Sequence, residues 1–144
     1  MYKRILVPTD GSDITGKAVQ SAIALAKLVG AELRVIGVKE PFPYSAISEM
    51  QPVPPQEFLD AQERVAGARL KGVADAASAA GVSCACHSVE GLHPWEAILD
   101  HGKAQECDLI VMASHGRRGM AALLIGSETS RVLTHSPLPV LVVK

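Results

Sequence analysis

Short runs of aliphatic residues alternate with longer segments of helical periodicity along this chain, and that alternation limits the possible folds more than any other feature. Val, Ile and Leu runs bounded by turn residues are typical of strands buried on both faces, and apolar residues three and four positions apart are typical of helices. Strand and helix segments in strict alternation predict an α/β protein with a parallel sheet and helices on both faces. The predicted strands are Ile5–Val7, Glu32–Val38, Val82–Val89, Asp108–Ala113 and Val140–Val143.

The connecting helices have recognisable starts and stops. Glycine follows the last apolar position of the first two helices, and proline stands in the first turn of the third. The second helix is predicted to turn Val65, Leu70 and Val73 towards the sheet. The predicted helices begin at Ser12 or Asp13, at Gln56, at His93 and at Gly126, and the first, second and fourth end at Gly30, Ala80 and His135.

Composition narrows the class of protein further. A chain of 144 residues is the size of one domain, so residues 1–144 are predicted to form a single unit. The net charge of −1 with interspersed signs argues against a nucleic-acid partner, and no apolar run has the length needed to cross a membrane. Three cysteines without framework spacing, and a strand that follows Met1 almost directly, predict a cytoplasmic protein.

A glycine-rich turn after the fourth strand has the chemistry of a phosphate-binding loop. It contains Gly116 and is followed by Gly126 and Ser127, which open the last helix. Glycines allow the main chain to approach a ligand, and amides at a helix N-terminus attract anions. Ser127 is placed at the predicted N-cap, and Arg117 and its neighbour Arg118 add positive charge. A loop in which the glycines only relieve turn strain is the alternative.

A second loop is expected to meet the first. In open parallel sheets, ligands bind outside the carboxyl ends of the strands, where the strand order reverses. Thr9, Asp10 and Gly11 follow the first strand, so one crevice would collect both loops if the first and fourth strands are neighbours. Asp10 would then hydrogen-bond a ribose or help to hold a divalent cation beside phosphates.

Two other motifs compete with this interpretation. Residues 11–17 match the first seven positions of a P-loop, but Ala18 replaces the Ser or Thr that ligates magnesium, and helical periodicity already starts at Ile14. Cys84, Cys86 and His87 form an incomplete metal-ligand set, and small residues alternating in a strand explain them better. We therefore predict no metal site of protein ligands alone. No triad, Cys/His pair or carboxylate pair indicates a catalytic residue either.

Five prolines fall between Lys39 and Glu57, a segment that is predicted to lack regular structure. A long irregular connection in a compact domain is usually a functional cover or a mobile segment. We interpret it as a flap over the crevice, with an ordinary crossover that contacts no ligand as the alternative.

The residues together resemble the universal stress proteins over essentially the whole chain. The resemblance rests on the segments 5–12, 112–119, 126–127 and 137–143. It implies a three-layer, doubly wound, five-stranded parallel sheet in the order 3-2-1-4-5, the adenine nucleotide alpha hydrolase-like fold. It also implies a homodimer that forms largely through the last strand, Val140–Val143, whose exposed edge would need covering.

Nucleotide-binding members of that family carry the motif Gly-x2-Gly-x9-Gly-Ser/Thr, and here Ala113 replaces the first glycine while Gly116, Gly126 and Ser127 match. The resemblance implies that ATP, AMP or ADP binds, with Mg2+ as a companion ion. It places adenosine beside Pro8, Thr9, Asp10, the Val38 backbone and Met112. It places ribose and phosphates beside Gly116, Gly126, Ser127 and Thr129, with Arg117 as an outer contact.

The function implied is a stress-response protein whose nucleotide state alters its interaction with a partner, with slow ATP hydrolysis at most. Ala113 supports a different hypothesis, a stress-response interaction protein that binds no nucleotide, because its methyl group adds bulk where ribose and phosphates would lie. An enzyme, either a P-loop-like NTPase or an AMP-forming ligase on a related fold, is the third hypothesis, and it lacks both a complete P-loop and a catalytic acid or base.

Overall fold

A computed structural model describes residues 1–39, 56–116 and 125–144 of the chain. Most of the predicted flap, and Arg117, lie outside these residues. Strands and helices alternate along the described residues as the hydrophobic pattern predicts. They are β1 (Arg4–Pro8), α1 (Asp13–Val29), β2 (Glu32–Lys39), α2 (Gln56–Ala79), β3 (Cys84–Glu90), α3 (Pro94–Ala104), β4 (Leu109–Ala113), α4 (Ser127–His135) and β5 (Val140–Val143).

The strands form one parallel sheet in the order β3-β2-β1-β4-β5, which confirms the predicted strand order. β1 lies in the centre, where Ile5 pairs with Leu33 of β2 on one side and with Leu109 of β4 on the other. The strand order reverses between β1 and β4. Their carboxyl ends therefore open into one crevice, the position where sheets of this kind bind ligands.

Both faces of the sheet are covered by helices. Side chains of successive residues point to opposite faces, so Ile5 and Val7 of β1 pack towards α1 and α2, and Leu6 packs with residues of α3 and α4. The three side chains are at most 1% exposed, and burying each contributes about 1.5–3 kcal/mol to stability. β4 is buried along its whole length. The two loops at the carboxyl edge thus follow the buried central strands β1 and β4.

Residues 11–17, which resemble part of a P-loop, begin helix α1. Gly16 and Lys17 both lie within it, as the periodicity predicts, so they cannot wrap around a phosphate. Glycine ends this helix as expected, because Gly30 is the C-cap residue and adopts the left-handed conformation with a φ of +72°. Within the described residues, no helix has the length and apolar character that crossing a membrane requires.

Helix α2 departs from the prediction at one position. Val65 was expected to face the sheet with Leu70 and Val73, but it is 50% exposed, whereas Leu70 is 9% exposed. Leu70 packs in the core beside Val35 of β2. Val65 instead borders the crevice at the carboxyl edge of the sheet. Helix α2 therefore lines the crevice as far along as Leu70, and its remaining turns cover the sheet.

Candidate functional site

The loop after β1 is fixed by its own hydrogen bonds. The Asp10 Oδ1 atom accepts hydrogen bonds from the Ser12 backbone N–H at 2.9 Å and from the Thr15 hydroxyl at 3.0 Å. Thr15 is only 6% exposed, so this bond anchors the carboxylate on the first turn of α1. The Gly11 N–H bonds the Thr9 hydroxyl oxygen at 3.2 Å. The loop is therefore a preformed support for a carboxylate at the carboxyl edge of the sheet.

The loop after β4 approaches that carboxylate directly. A Cβ atom added to Gly116 would lie 2.8 Å from the Asp10 Oδ2 atom, which is closer than real Cβ contacts allow. Only glycine at position 116 permits this approach without movement. The two loops that were expected to share a crevice do so, and Asp10 and Gly116 are in contact.

The N-terminus of α4 forms the next part of the crevice. Gly126, and not Ser127, is the N-cap residue, so the prediction of a Ser127 cap was wrong; Ser127 is the first helical residue. The Gly126 N–H donates to the Ser114 carbonyl at 2.6 Å, and a Cβ at position 126 would lie 3.0 Å from the His115 Cβ. The tight packing at this position explains why the N-cap residue is glycine. Ser127 remains exposed at the mouth of the crevice.

Thr129 connects α4 to β4. Its side chain is buried, and its hydroxyl donates a hydrogen bond to the Ala113 carbonyl at 2.8 Å. Ala113 is 4% exposed, and alternation along β4 puts its methyl group on the same face as Val111, which packs towards α1. Ala113, which distinguishes this chain from the glycine motif, thus lines the cleft with only a small exposed surface.

These residues surround a cleft of about 780 Å3, within the range of small-molecule sites. Arg117 is the one sequence-predicted site residue that lies outside the described residues. Nine predicted residues line the cleft: Pro8, Thr9, Asp10, Val38, Met112, Gly116, Gly126, Ser127 and Thr129.

Several lining residues were not predicted from the sequence. Phe58, Val65 and Arg69 come from α2, and Lys39 stands at the end of β2, where it pairs with Glu63. Glu128, the residue after Ser127 in α4, also lines the cleft. The helical periodicity of α2 distinguishes a polar face from an apolar one, but it does not show which residues line a cleft.

Glu128 links the two helices on its side of the sheet. Its Oε2 atom accepts a hydrogen bond from the Trp95 backbone N–H at 2.9 Å, in the first turn of α3. A carboxylate is favourable there because the helix N-terminus carries partial positive charge. The Trp95 ring stacks on His135 at the other end of α4, with ring centroids 4.7 Å apart. Trp95 also packs on the core, as predicted for it.

The two β3 cysteines are half-buried and pack against the core. Their sulfur atoms are 3.8 Å apart, and the Cys86 thiol contacts the Leu70 carbonyl. Burial, reinforced by the neighbouring Cys86, raises the pKa of Cys84 to about 12, so both thiols stay protonated and are poor metal ligands at neutral pH. No group of three or more His, Cys, Asp or Glu side chains is arranged to hold a metal among residues 1–39, 56–116 and 125–144.

A doubly wound parallel sheet with a cleft at its switch point defines a class of α/β ligand-binding folds, here the adenine nucleotide alpha hydrolase-like fold of the structural relatives. The model of the universal stress protein family matches residues 1–144. Universal stress protein MJ0531 of Methanocaldococcus jannaschii is 35% identical over 145 residues, which covers 100% of this chain and 83% of that protein. Universal stress protein YxiE of Bacillus subtilis is 32% identical over 150 residues and covers 100% of both.

Two solved structures are similar in fold and sequence. The hypothetical protein MJ0577 has a TM-score of 0.85 and 28% identity, covering 100% of this chain and 96% of that one. A universal stress protein in complex with cAMP has a TM-score of 0.74 and 26% identity, covering 99% and 96%. The chain belongs to the universal stress protein family.

Proposed function

We propose that this chain is a dimeric stress-response protein that binds an adenine nucleotide in the cleft and signals through a partner interaction that depends on the nucleotide. The contact between Asp10 and Gly116 carries the proposal, because it joins a hydroxyl-binding carboxylate to the glycine loop in one cleft. The similar structure with bound cAMP supports an adenine nucleotide as the ligand class.

The cleft offers different chemistry to the two ends of a nucleotide. Apolar surface from Val38 and Met112 suits an adenine ring, and Asp10 suits the ribose hydroxyls. The amides of the first turn of α4 have no intrahelical acceptor, so they suit phosphate oxygens beside Gly116 and Ser127. Pro8 and Thr9 complete the adenosine side, and Gly126, Thr129 and Arg117 the phosphate side.

ATP is the proposed ligand, with Mg2+ as its counter-ion, and AMP and ADP are the shorter alternatives. Asp10 and Glu128 both line the cleft and would repel a bare triphosphate. Mg2+ commonly binds through substrate phosphates and one or two carboxylates, so Asp10 together with phosphate oxygens is a sufficient donor set. The ion would neutralise the phosphate charge beside these carboxylates.

Titration calorimetry and thermal unfolding with Mg-ATP and AMP test the proposal on protein freed of copurified nucleotide. We expect saturable heat at one site per chain, and a ligand at one hundred times its Kd should add about 2.7 kcal/mol to the free energy of unfolding. Asp10→Asn should weaken binding about tenfold or more, since a charge-assisted hydrogen bond to ribose is lost. Asp75→Asn, on the outer face of α2, is the matched control. Absence of both heat and protection would exclude the proposal.

A stress-response interaction protein that binds no nucleotide is the second candidate, and Ala113 is the observation that favours it. Ala113→Gly separates the two. Equal nucleotide affinity in both proteins would agree with the small exposure of the Ala113 methyl group, and affinity that arises only in the variant would favour the second candidate.

A further inference from the structure

Arg69 of α2 lies against the loop that follows β1. Its Cδ and Nε atoms are 2.5 Å from the position that a Cβ atom on Gly11 would take. Gly11 also has a φ of +78°, a conformation that side chains disfavour. Glycine at position 11 therefore leaves space that the stem of Arg69 fills, and the guanidinium is held beside the cleft that the arginine lines.

The charge of Arg69 is available to a ligand. In the described part of the chain, its guanidinium forms no hydrogen bond or ion pair, although the side chain is half-buried. Other charged groups of the cleft are engaged: Lys39 pairs with Glu63, and Glu128 accepts the Trp95 N–H. A guanidinium has five N–H donors and is costly to keep partly out of water without acceptors. A bound anion would supply those acceptors.

The location indicates which anion. Gly11 follows Asp10, and Asp10 touches Gly116 of the glycine loop, so Arg69 shares the cleft with the N-terminus of α4. A planar guanidinium matches two oxygens of one phosphate, a geometry that the point charge of a lysine cannot reproduce. We propose that Arg69 recognises phosphate from the α2 wall, so that the cleft prefers phosphorylated nucleosides to free nucleosides. This inference rests on the proposed function, because it names the determinant of ligand class in the same cleft.

The experiment compares AMP, adenosine and inorganic tripolyphosphate as calorimetric ligands of the wild type, Arg69→Ala and Arg69→Lys. We expect Arg69→Ala to weaken AMP binding about tenfold or more, and adenosine binding by less than about twofold. The AMP affinity of Arg69→Lys should lie between those of the wild type and Arg69→Ala, because lysine retains the charge but lacks the paired N–H donors of the guanidinium. Arg64→Ala is the matched control, since Arg64 is an exposed arginine of the same helix that does not line the cleft. Circular dichroism and melting curves verify that each variant folds.

Each outcome separates the two proposals. Equal AMP affinity in the wild type and Arg69→Ala overturns the phosphate role of Arg69 and leaves nucleotide binding intact. Equal losses for AMP and adenosine also overturn it, because they show that Arg69 only packs on Gly11. Tripolyphosphate binding that disappears in Arg69→Ala, with no adenine nucleotide bound by any protein, supports the role of Arg69 and excludes the proposed ligand. If the wild type binds none of the three ligands, both proposals are excluded.

Discussion

At position 116, the absence of a side chain allows the Asp10 carboxylate to lie against the main chain of the glycine loop. The carboxylate cannot easily move aside, because its other oxygen is held by the Ser12 N–H and the Thr15 hydroxyl. At the residue scale, the site therefore depends on a mutual fit in which a loop glycine and a hydrogen-bonded aspartate occupy adjoining space.

Gly116→Ala should disturb this fit. The new methyl group would lie 2.8 Å from the Asp10 Oδ2 atom, so the carboxylate or the loop must shift, and overpacking of this kind costs about 1–3 kcal/mol of stability. We also expect nucleotide affinity to fall, since Asp10 is displaced from the proposed ribose position. Urea unfolding and calorimetry measure the two effects.

Gly67→Ala is the matched control, because a Cβ at this position of α2 meets nothing within 4 Å. It should raise the free energy of unfolding by about 0.5–1 kcal/mol, since alanine is the better helix former. If the free energy of unfolding of Gly116→Ala equals that of the wild type or of Gly67→Ala, the close approach of Asp10 to Gly116 does not contribute to stability.

At the scale of elements, the sequence predicted the order and type of helices and strands well because hydrophobic period and glycine stops are local signals. Boundaries were less accurate. β3 was predicted to start at Val82, but the Val82 N–H donates to the Ala77 carbonyl at 2.9 Å. Val82 therefore completes the turn around Gly81, and the strand starts at Cys84. A buried valine after a helix serves either role, and only the hydrogen bond distinguishes them.

The site was predictable only where a loop motif carried it. Asp10, Gly116 and Gly126 follow strands in a pattern that a sequence displays directly. Arg69 and Phe58 could not be found in this way, because their place in the cleft depends on how α2 packs beside the sheet. That packing is a tertiary property, and the periodicity of α2 is the same whether these positions meet water or a cleft.

Among residues 1–39, 56–116 and 125–144, strand β5 is an edge strand that pairs with β4, and its Leu141 side chain is 43% exposed. An edge strand of this kind can pair with a second copy, and dimerisation through β5 is part of the proposed function. We expect Leu141→Asp to shift the protein from dimer to monomer, because like charges would meet across the two-fold axis. Light scattering after gel filtration should then give a mass near the 15.1 kDa of one chain.

Leu28→Asp controls for the loss of an exposed leucine. Leu28 is 82% exposed and lies in the last turn of α1, outside the proposed interface. The Leu28→Asp variant should have the same assembly state as the wild type. A Leu141→Asp protein that keeps the wild-type mass would exclude the β5 interface.

At the scale of the whole molecule, one part of the α3 side of the sheet differs from the aliphatic packing elsewhere. His87 of β3 and His101 of α3 lie with ring centroids 4.8 Å apart. The pKa of His101 is lowered, first by burial and then by the positive charge of His87 and of Arg34 on β2. Folding therefore favours the neutral imidazole at this position.

The stability of the protein should consequently decline in mild acid. As pH falls below about 6.5, the ordinary pKa of histidine, the unfolded chain binds a proton that folded His101 still resists. The free energy of unfolding then decreases until pH passes the lowered pKa of the folded state, and the loss is complete below it. His101→Gln should flatten this decline, as measured by urea unfolding between neutral and acidic pH.

His93→Gln provides the comparison, because His93 is exposed at the N-cap of α3 and its side chain makes no capping bond. Its pH profile should follow that of the wild type. An unchanged decline in mild acid for His101→Gln would show that the half-buried His87–His101 pair does not govern acid stability.

A helix as short as α4 is unstable alone in water. The N-terminus of α4, which forms one end of the cleft, therefore depends on the contacts that hold the helix in place. Trp95 makes two such contacts with α4: its backbone N–H donates to Glu128, and its ring stacks on His135. It is also the sole tryptophan of the chain. The protein thus carries one intrinsic fluorophore against the helix at the proposed phosphate end of the cleft, and its emission can report ligand binding there without an added label.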